Sequence, residues 1–225
     1  MKGCPISTSS NGRSRPPYLT LAVFAVVAAI AVAVLWYVAP TPGNDKPTIT
    51  SSGTADIGGP FTLTDNTGRR VTDKTYAGKY MLVYFGYTYC PDTCPTELSL
   101  MSRAVDQLGK DASAVQPIFI TIDPERDTVK EMADYVSHFG SSLVGLTGTP
   151  EEIASVAKAY RVFYQKVAQH TEDGAKADPG GYLMNHSSFI YLMGPDGAYI
   201  DNFAPGTTPR DMAKRIRSII DGGAK

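Results

Sequence analysis

An α/β domain carried behind one membrane-spanning helix is the architecture this 225-residue sequence predicts, and three observations predict it. Residues 18–39, YLTLAVFAVVAAIAVAVLWYVA, carry no charge. Behind them, short apolar runs of the kind found in buried strands alternate with segments of helical periodicity, the order that builds a central sheet covered by helices. Between the first such central strand and the helix after it stands YFGYTYCPDTCP, residues 84–95, which places Cys90 and Cys94 at a strand-to-helix junction. A reactive cysteine pair in that position points to a thioredoxin-like fold.

The elements follow in order. At about 1.5 Å per residue the apolar run reaches about 33 Å, enough to cross a bilayer core. Lys2, Arg13 and Arg15 precede it without an acidic residue, which orients the N-terminus to the cytoplasm, and Tyr18, Trp36 and Tyr37 sit where amphipathic rings favour the headgroups. Ala31, Val32 and Ala33 resemble a signal-peptidase site, but the run is longer than a usual signal-peptide core. Residues 40–60 are rich in Pro, Gly, Ser and Thr and read as a flexible tether. The sequence thus divides into a cytoplasmic tail (1–17), an anchor (18–39), a linker (40–58) and a folded domain (59–225).

Within the domain, FTLTDNTGRRVT, residues 61–72, alternates around Asn66, Thr67 and Gly68 and predicts a hairpin. YMLVY, residues 80–84, predicts a buried central strand, and Leu98, Met101, Val105 and Leu108 predict a helix over 97–108, opened by the cysteine motif. Pro91 and Pro95 fit only near its first turn. A strand over 115–122, helices over 128–139 and 151–160, a hairpin of 187–193 with 198–203 turning at Gly194 to Gly197, and a helix over 209–220 complete the series.

Composition narrows the function classes. Apolar content of 43% and charged content of 19% fit a domain with a hydrophobic core. Beyond the anchor, 18 basic residues face 22 acidic ones, and no basic patch suggests nucleic acid. Three cysteines are too few for a disulfide scaffold, so the pair reads as reactive or metal-binding. On a helix, residues four apart share a face with Cβ atoms about 5–6 Å apart, wider than the roughly 3.5–4.5 Å a disulfide prefers. Such a pair oxidises after local adjustment, and as thiolates it can clamp a soft cation. A helix N-terminus favours thiolate.

Two thiolates leave a metal under-coordinated, and the sequence offers His138, His170 and His186 as further ligands. His138 falls in a predicted helix and His170 in a charged loop. His186 directly precedes a buried strand, a location that faces the cysteine helix in a thioredoxin-like fold. Taken alone, such a histidine more often has a structural role. Cys4 lies on the far side of the predicted membrane span, with no role indicated, and Tyr89 is assigned none.

YFGYTYCPDTCP, TIDPERDT (121–128), GLTG (145–148) and HSSFIYLMGPDG (186–197) follow one another in an order that resembles the Sco/SenC family, over about residues 59–221. These are membrane-anchored, thioredoxin-like copper proteins that assist assembly of the copper centre of cytochrome c oxidase. The resemblance implies that Cys90, Cys94 and His186 are copper ligands, holding one copper per chain as Cu(I) and, with the imidazole, as Cu(II). It matches Asp123 to the family's acidic position, where orienting a ligand competes with capping a helix or turn. It further implies the oxidase's copper-bearing subunit as acceptor, a copper-donor protein, a thiol reductant, and a single-pass bacterial inner-membrane protein with its domain in the periplasm.

On this reading, reduced Cys90 and Cys94 with His186 relay copper by ligand exchange, and a Cys90–Cys94 disulfide switches binding off. A thiol-disulfide oxidoreductase shares the fold but gives His186 no task; a redox or copper sensor has no sequence feature of its own. A peroxiredoxin would place Thr three residues before the reactive cysteine, where this chain has Tyr87, and a structural zinc site would need four protein ligands.

Overall fold

The structure, a computed structural model, describes residues 27–34, 57–168 and 181–222. The hairpin predicted first is present: β1 (Thr62–Asp65) and β2 (Arg70–Thr72) pair antiparallel. Asp65 fixes its turn, its Oδ1 accepting from Thr67 N, Thr67 Oγ1 and Arg69 N. Gly68 adopts φ 85°, which a residue with a Cβ resists.

β3 (Tyr80–Gly86) is buried from Met81 onward, as its unbroken apolar run requires of a strand covered on both faces. It pairs in parallel with β4 (Val115–Thr121), and β4 in parallel with β5 (Val144–Thr147). The crossover from β3 to β4 is α1 (Thr93–Gln107), which buries Cys94, Leu98, Met101 and Val105 at spacings of three and four. Leu98 and Met101 are fully buried, each contributing about 1.5–3 kcal/mol of transfer free energy. α1 begins at Thr93, four residues before the predicted start, so Cys94 lies in its first turn and Cys90 in the loop ahead of it.

α2 (Val129–Ser137) follows β4, its N-cap Thr128 accepting from Glu131 N. Asp123 is therefore not the cap of this helix. α3 (Pro150–Ala159) opens with a capping box: Thr149 Oγ1 accepts from Glu152 N at 3.2 Å, and Thr149 N donates back to Glu152 Oε2 at 2.9 Å. Residues alternate along β3, so Tyr84 and Gly86 face α1 while Phe85 meets Tyr160 at the end of α3, with ring centroids 5.2 Å apart.

The principal departure from the sequence reading comes next. β6 (Tyr164–Ala168) and β7 (Tyr182–His186) form a separate two-stranded antiparallel ribbon, with Tyr164 opposite His186. The chain then enters the predicted C-terminal hairpin, β8 (Ile190–Met193) and β9 (Tyr199–Phe203), and closes with α4 (Pro209–Gly222). The main sheet runs β2-β1-β5-β4-β3-β8-β9, with β4 in the middle and β3 and β8 antiparallel neighbours.

No helix among the described residues is long and apolar enough to cross a membrane. Of the predicted anchor at 18–39, the described residues include only 27–34, which are helical; almost all of the linker, Cys4 and His170 lie outside them.

Candidate metal centre

Three ligand-bearing side chains meet above the C-terminal end of β3. The sulfurs of Cys90 and Cys94 and a ring nitrogen of His186 lie within 4.8 Å of one another, the only such grouping of three or more His, Cys, Asp or Glu among the described residues. His186 Nε2 is 3.5 Å from Cys94 Sγ. The imidazole is delivered from the end of β7, not from the strand after it, and sits edge-on to the rings of Tyr84 and Tyr87, with centroids at 6.2 and 6.0 Å. His186 Nδ1 is 2.9 Å from the carbonyl of Ser187. A carbonyl only accepts, so Nδ1 donates in that contact, and Nε2 is the ring nitrogen turned toward the sulfurs.

Both cysteines are reduced, and they differ sharply. Cys94 is fully buried, whereas Cys90 is half-buried in the loop. The first turn of α1 explains the pair's electrostatics. Cys94 N donates to Cys90 Sγ at 3.3 Å, so Cys90 takes up one of the unpaired backbone donors that begin every helix. Its thiol is held far below the ordinary range, chiefly by the Cys94 thiol, then by His186 and the N–H groups of Cys94 and Asp92, against the opposing effect of burial. Cys94 is pushed far up because its S–H donates a hydrogen bond to Cys90 and because it is buried. The resting pair is one thiolate and one thiol.

The donor set of two sulfurs and one imidazole suits a soft or borderline cation, and it is one protein ligand short of a closed structural zinc site. Beneath it the chain packs tightly: a Cβ on Gly86 would stand 2.9 Å from Cys94 Sγ.

The loop that sequence reasoning represented by Asp123 alone is richer than that. Asp123 is buried, and its carboxylate accepts from Arg126 Nε at 2.5 Å and from Tyr182 Oη at 2.7 Å, not from a ligand. Any orienting effect on the centre passes through those partners. Asp127, fully buried, accepts from Thr88 N at 3.1 Å, Thr88 Oγ1 at 2.5 Å and Thr121 Oγ1 at 2.5 Å, tying the cysteine loop to the end of β4. Burial keeps the carboxyl of Asp127 above its usual range despite these donors. Glu97, one turn beyond Cys94, is also buried, with Oε1 accepting from Gly206 N at 2.8 Å. His138 is exposed at the C-cap of α2 and takes no part. Tyr89, left without a role from sequence, is exposed with its ring 4.7 Å from the Arg126 guanidinium carbon.

With this geometry in view, the chain was compared with known proteins. The sequence profile described as SCO1/SenC matches residues 49–221. Protein SCO1 homolog, mitochondrial, of Homo sapiens is 45% identical over 162 residues, 71% of this chain and 52% of that protein. Protein SenC of Rhodobacter capsulatus is 39% identical over 172 residues, 76% of this chain and 74% of that protein. The crystal structure of Arabidopsis thaliana ScoI with copper bound matches with a TM-score of 0.67 at 40% identity, covering 74% of this chain and 99% of that one. This chain spans about half the length of the human protein it matches.

Proposed function

The chain belongs to the SCO1/SenC family, with a thioredoxin-like α/β fold, and from that premise we propose that it is a copper carrier acting in the assembly of cytochrome c oxidase. Copper is its cargo, one ion per chain, held by Cys90, Cys94 and His186. The observation that carries the reading is the meeting of those three donor atoms within 4.8 Å, with Nε2 of His186 turned toward the sulfurs. Two sulfurs select Cu(I), and the imidazole extends the site to Cu(II). The copper held by the Arabidopsis relative supports the same assignment.

Cys90 presents a thiolate without prior deprotonation, and Cys94 releases a proton as it ligates. The half-buried side of the site, at Cys90, is where a donor's ligand enters and where the oxidase's copper-bearing subunit takes the ion away. In this proposal residues 18–39 anchor the chain in a bacterial inner membrane, residues 1–17 lie in the cytoplasm, and 40–58 tether the domain, 59–225, in the periplasm.

Anaerobic titration of the full-length chain with Cu(I) and Cu(II), in competition with a chelator and followed by absorption, tests this. One tightly held copper with a thiolate-to-copper charge-transfer band is expected, lost in Cys90→Ser and in Cys94→Ser and weakened in His186→Ala. Unchanged affinity in the two serine variants would end the proposal.

A second reading has its own observation. A pair poised as one thiolate and one thiol is equipped for disulfide exchange with a partner's cysteines. Under that reading His186→Ala leaves exchange with a dithiol substrate intact, and copper binding is weak and insensitive to His186.

A further inference from the structure

The three ligands come from two separately built pieces of the fold. The sulfurs belong to the β3-to-α1 junction of the main sheet, while His186 ends a ribbon that pairs with no strand of that sheet. Two sets of contacts bridge the pieces. Tyr87 hydrogen-bonds the backbone of Met184, whose side chain is buried in the core, and the loop after β4 supplies the second set, centred on one residue.

Arg126 reaches both sides. Its Nη1 donates to the carbonyl of Tyr182 at 3.1 Å, and its guanidinium carbon lies 3.6 Å from the centroid of the Tyr182 ring. Its Nε donates to Asp123, which accepts from Tyr182 Oη with its other oxygen, closing a ring of three side chains. On the opposite side the same guanidinium lies 5.8 Å from the ring of Tyr87 and 4.7 Å from that of Tyr89, the residues that lead into Cys90. The side chain of Arg126 is 15% exposed and that of Asp123 1%. A second bridge, Lys166 to Glu125 at 2.6 Å, is 46% and 60% exposed and so contributes little.

Tyr182 and His186 are the two ends of β7, four residues apart on one face of the strand. Holding Tyr182 therefore aims the other end of the strand. We propose that Arg126 is the positioning residue of this site: it helps clasp the ribbon to the loop beside the cysteines and thereby keeps the imidazole of His186 within 4.8 Å of the sulfurs. A buried ion pair is a poor device for stability alone, since desolvation offsets much of its attraction. It is a good device for geometry when the cation is a planar fork that can donate in two directions and stack on a third surface. Lysine has neither the fork nor the plane.

The inference rests on His186 being a copper ligand, and the test separates the two. In the reduced, metal-free full-length chain, Arg126→Ala is expected to raise hydrogen exchange at the amides of β6 and β7 about tenfold or more while leaving β3 and β4 within about threefold. For copper, His186→Ala weakens Cu(II) binding in the wild-type background and has less than about a threefold effect once Arg126→Ala has released the ribbon. Arg126→Lys behaves like Arg126→Ala. Tyr182→Leu removes the other half of the clasp at a half-buried position and gives the same pattern, which keeps the test readable should Arg126→Ala not fold.

Unchanged exchange in the ribbon, an equal effect of His186→Ala in both backgrounds, or full rescue by lysine each overturns the clasp. No effect of His186→Ala even with Arg126 intact overturns the ligand reading instead, and the exchange measurement still decides the clasp.

Discussion

Gly86→Ala should damage this protein out of proportion to the single methyl it adds. Gly86 is the last residue of β3, and a Cβ there would lie 2.9 Å from Cys94 Sγ, 3.0 Å from Phe119 Cε2 and 3.1 Å from Tyr84 Cε1. Non-bonded contacts between carbons are most favourable near about 3.5–4.0 Å, so the methyl overlaps its neighbours by roughly 0.5–1 Å. None of the three can swing into solvent, because Cys94, Phe119 and Tyr84 are all fully buried. Overpacking of that kind costs about 1–3 kcal/mol. Urea unfolding of the reduced, metal-free protein measures it, with the slope unchanged. The sulfur's share can be isolated. In a Cys94→Ala background one of the three collisions is gone, and the cost of Gly86→Ala should fall by about 1 kcal/mol. A cost below about 0.5 kcal/mol in the wild type, or an equal cost in both backgrounds, would show that the sulfur does not press on Gly86.

The other predictions concern charge. Alkylation of Cys90 by iodoacetamide should hold a pH-independent rate through neutrality and slow only in acid, because the thiolate is the nucleophile and Cys90 is held far below the usual thiol range. Cys94→Ala should move that midpoint upward, since the hydrogen bond from the Cys94 thiol is the largest cause of the depression; an unmoved midpoint counts against that hydrogen bond. Burial holds the carboxyl of Glu97 above its ordinary range, so the folded protein binds that proton more tightly than the unfolded chain does. The resulting stability is present below the unfolded value and is lost as pH rises through the folded one. Glu97→Gln has no such loss, and its stability relative to wild type should increase as pH rises above the ordinary carboxylate range in urea unfolding, a constant gap being the contrary result. Asp127→Ala leaves Thr88 N, Thr88 Oγ1 and Thr121 Oγ1 without their acceptor and should cost more than about 2 kcal/mol by the same assay; a loss under about 0.5 kcal/mol would mean that water replaces the carboxylate.

What could be read in the sequence was whatever local pattern decides. The run of 80–84 has the pattern of a buried strand, the helix expected over 151–160 is α3, and the turn at Gly194 to Gly197 closes the hairpin expected there. The two cysteines and His186 stood out by chemistry and by the order of the motifs around them, and the structure brings all three together. The ribbon did not stand out. β6 reads YQKVA, half-exposed or exposed throughout, without the clean alternation that marks a strand packed on a core. Nor did Arg126 and Asp127. Charged residues in a loop between a strand and a helix look solvated in sequence, and only the return of Tyr182 from far along the chain, 56 residues away, shows what Arg126 holds. The spacing argument for the cysteines also needed revision. Four residues apart suggests two positions on one helical face, whereas Cys90 lies before the helix and accepts a backbone N–H from its first turn.

The unequal burial of the two sulfurs imposes an order of events. An incoming thiolate can approach Cys90 but not Cys94, which has no exposed surface. Were the pair oxidised, attack would fall on the Cys90 sulfur and Cys94 would have to depart. Burial disfavours the thiolate that Cys94 would leave as, which makes it a poor leaving group, and exchange slows as the leaving group's basicity rises. Reduction by a small thiol in solution is thereby disfavoured, and an efficient reductant would be a protein whose docking lets Cys94 regain its proton as it leaves. The same asymmetry makes departure of a bound ion sequential, with the contact at Cys90 exchanged first and that at Cys94 surrendered last.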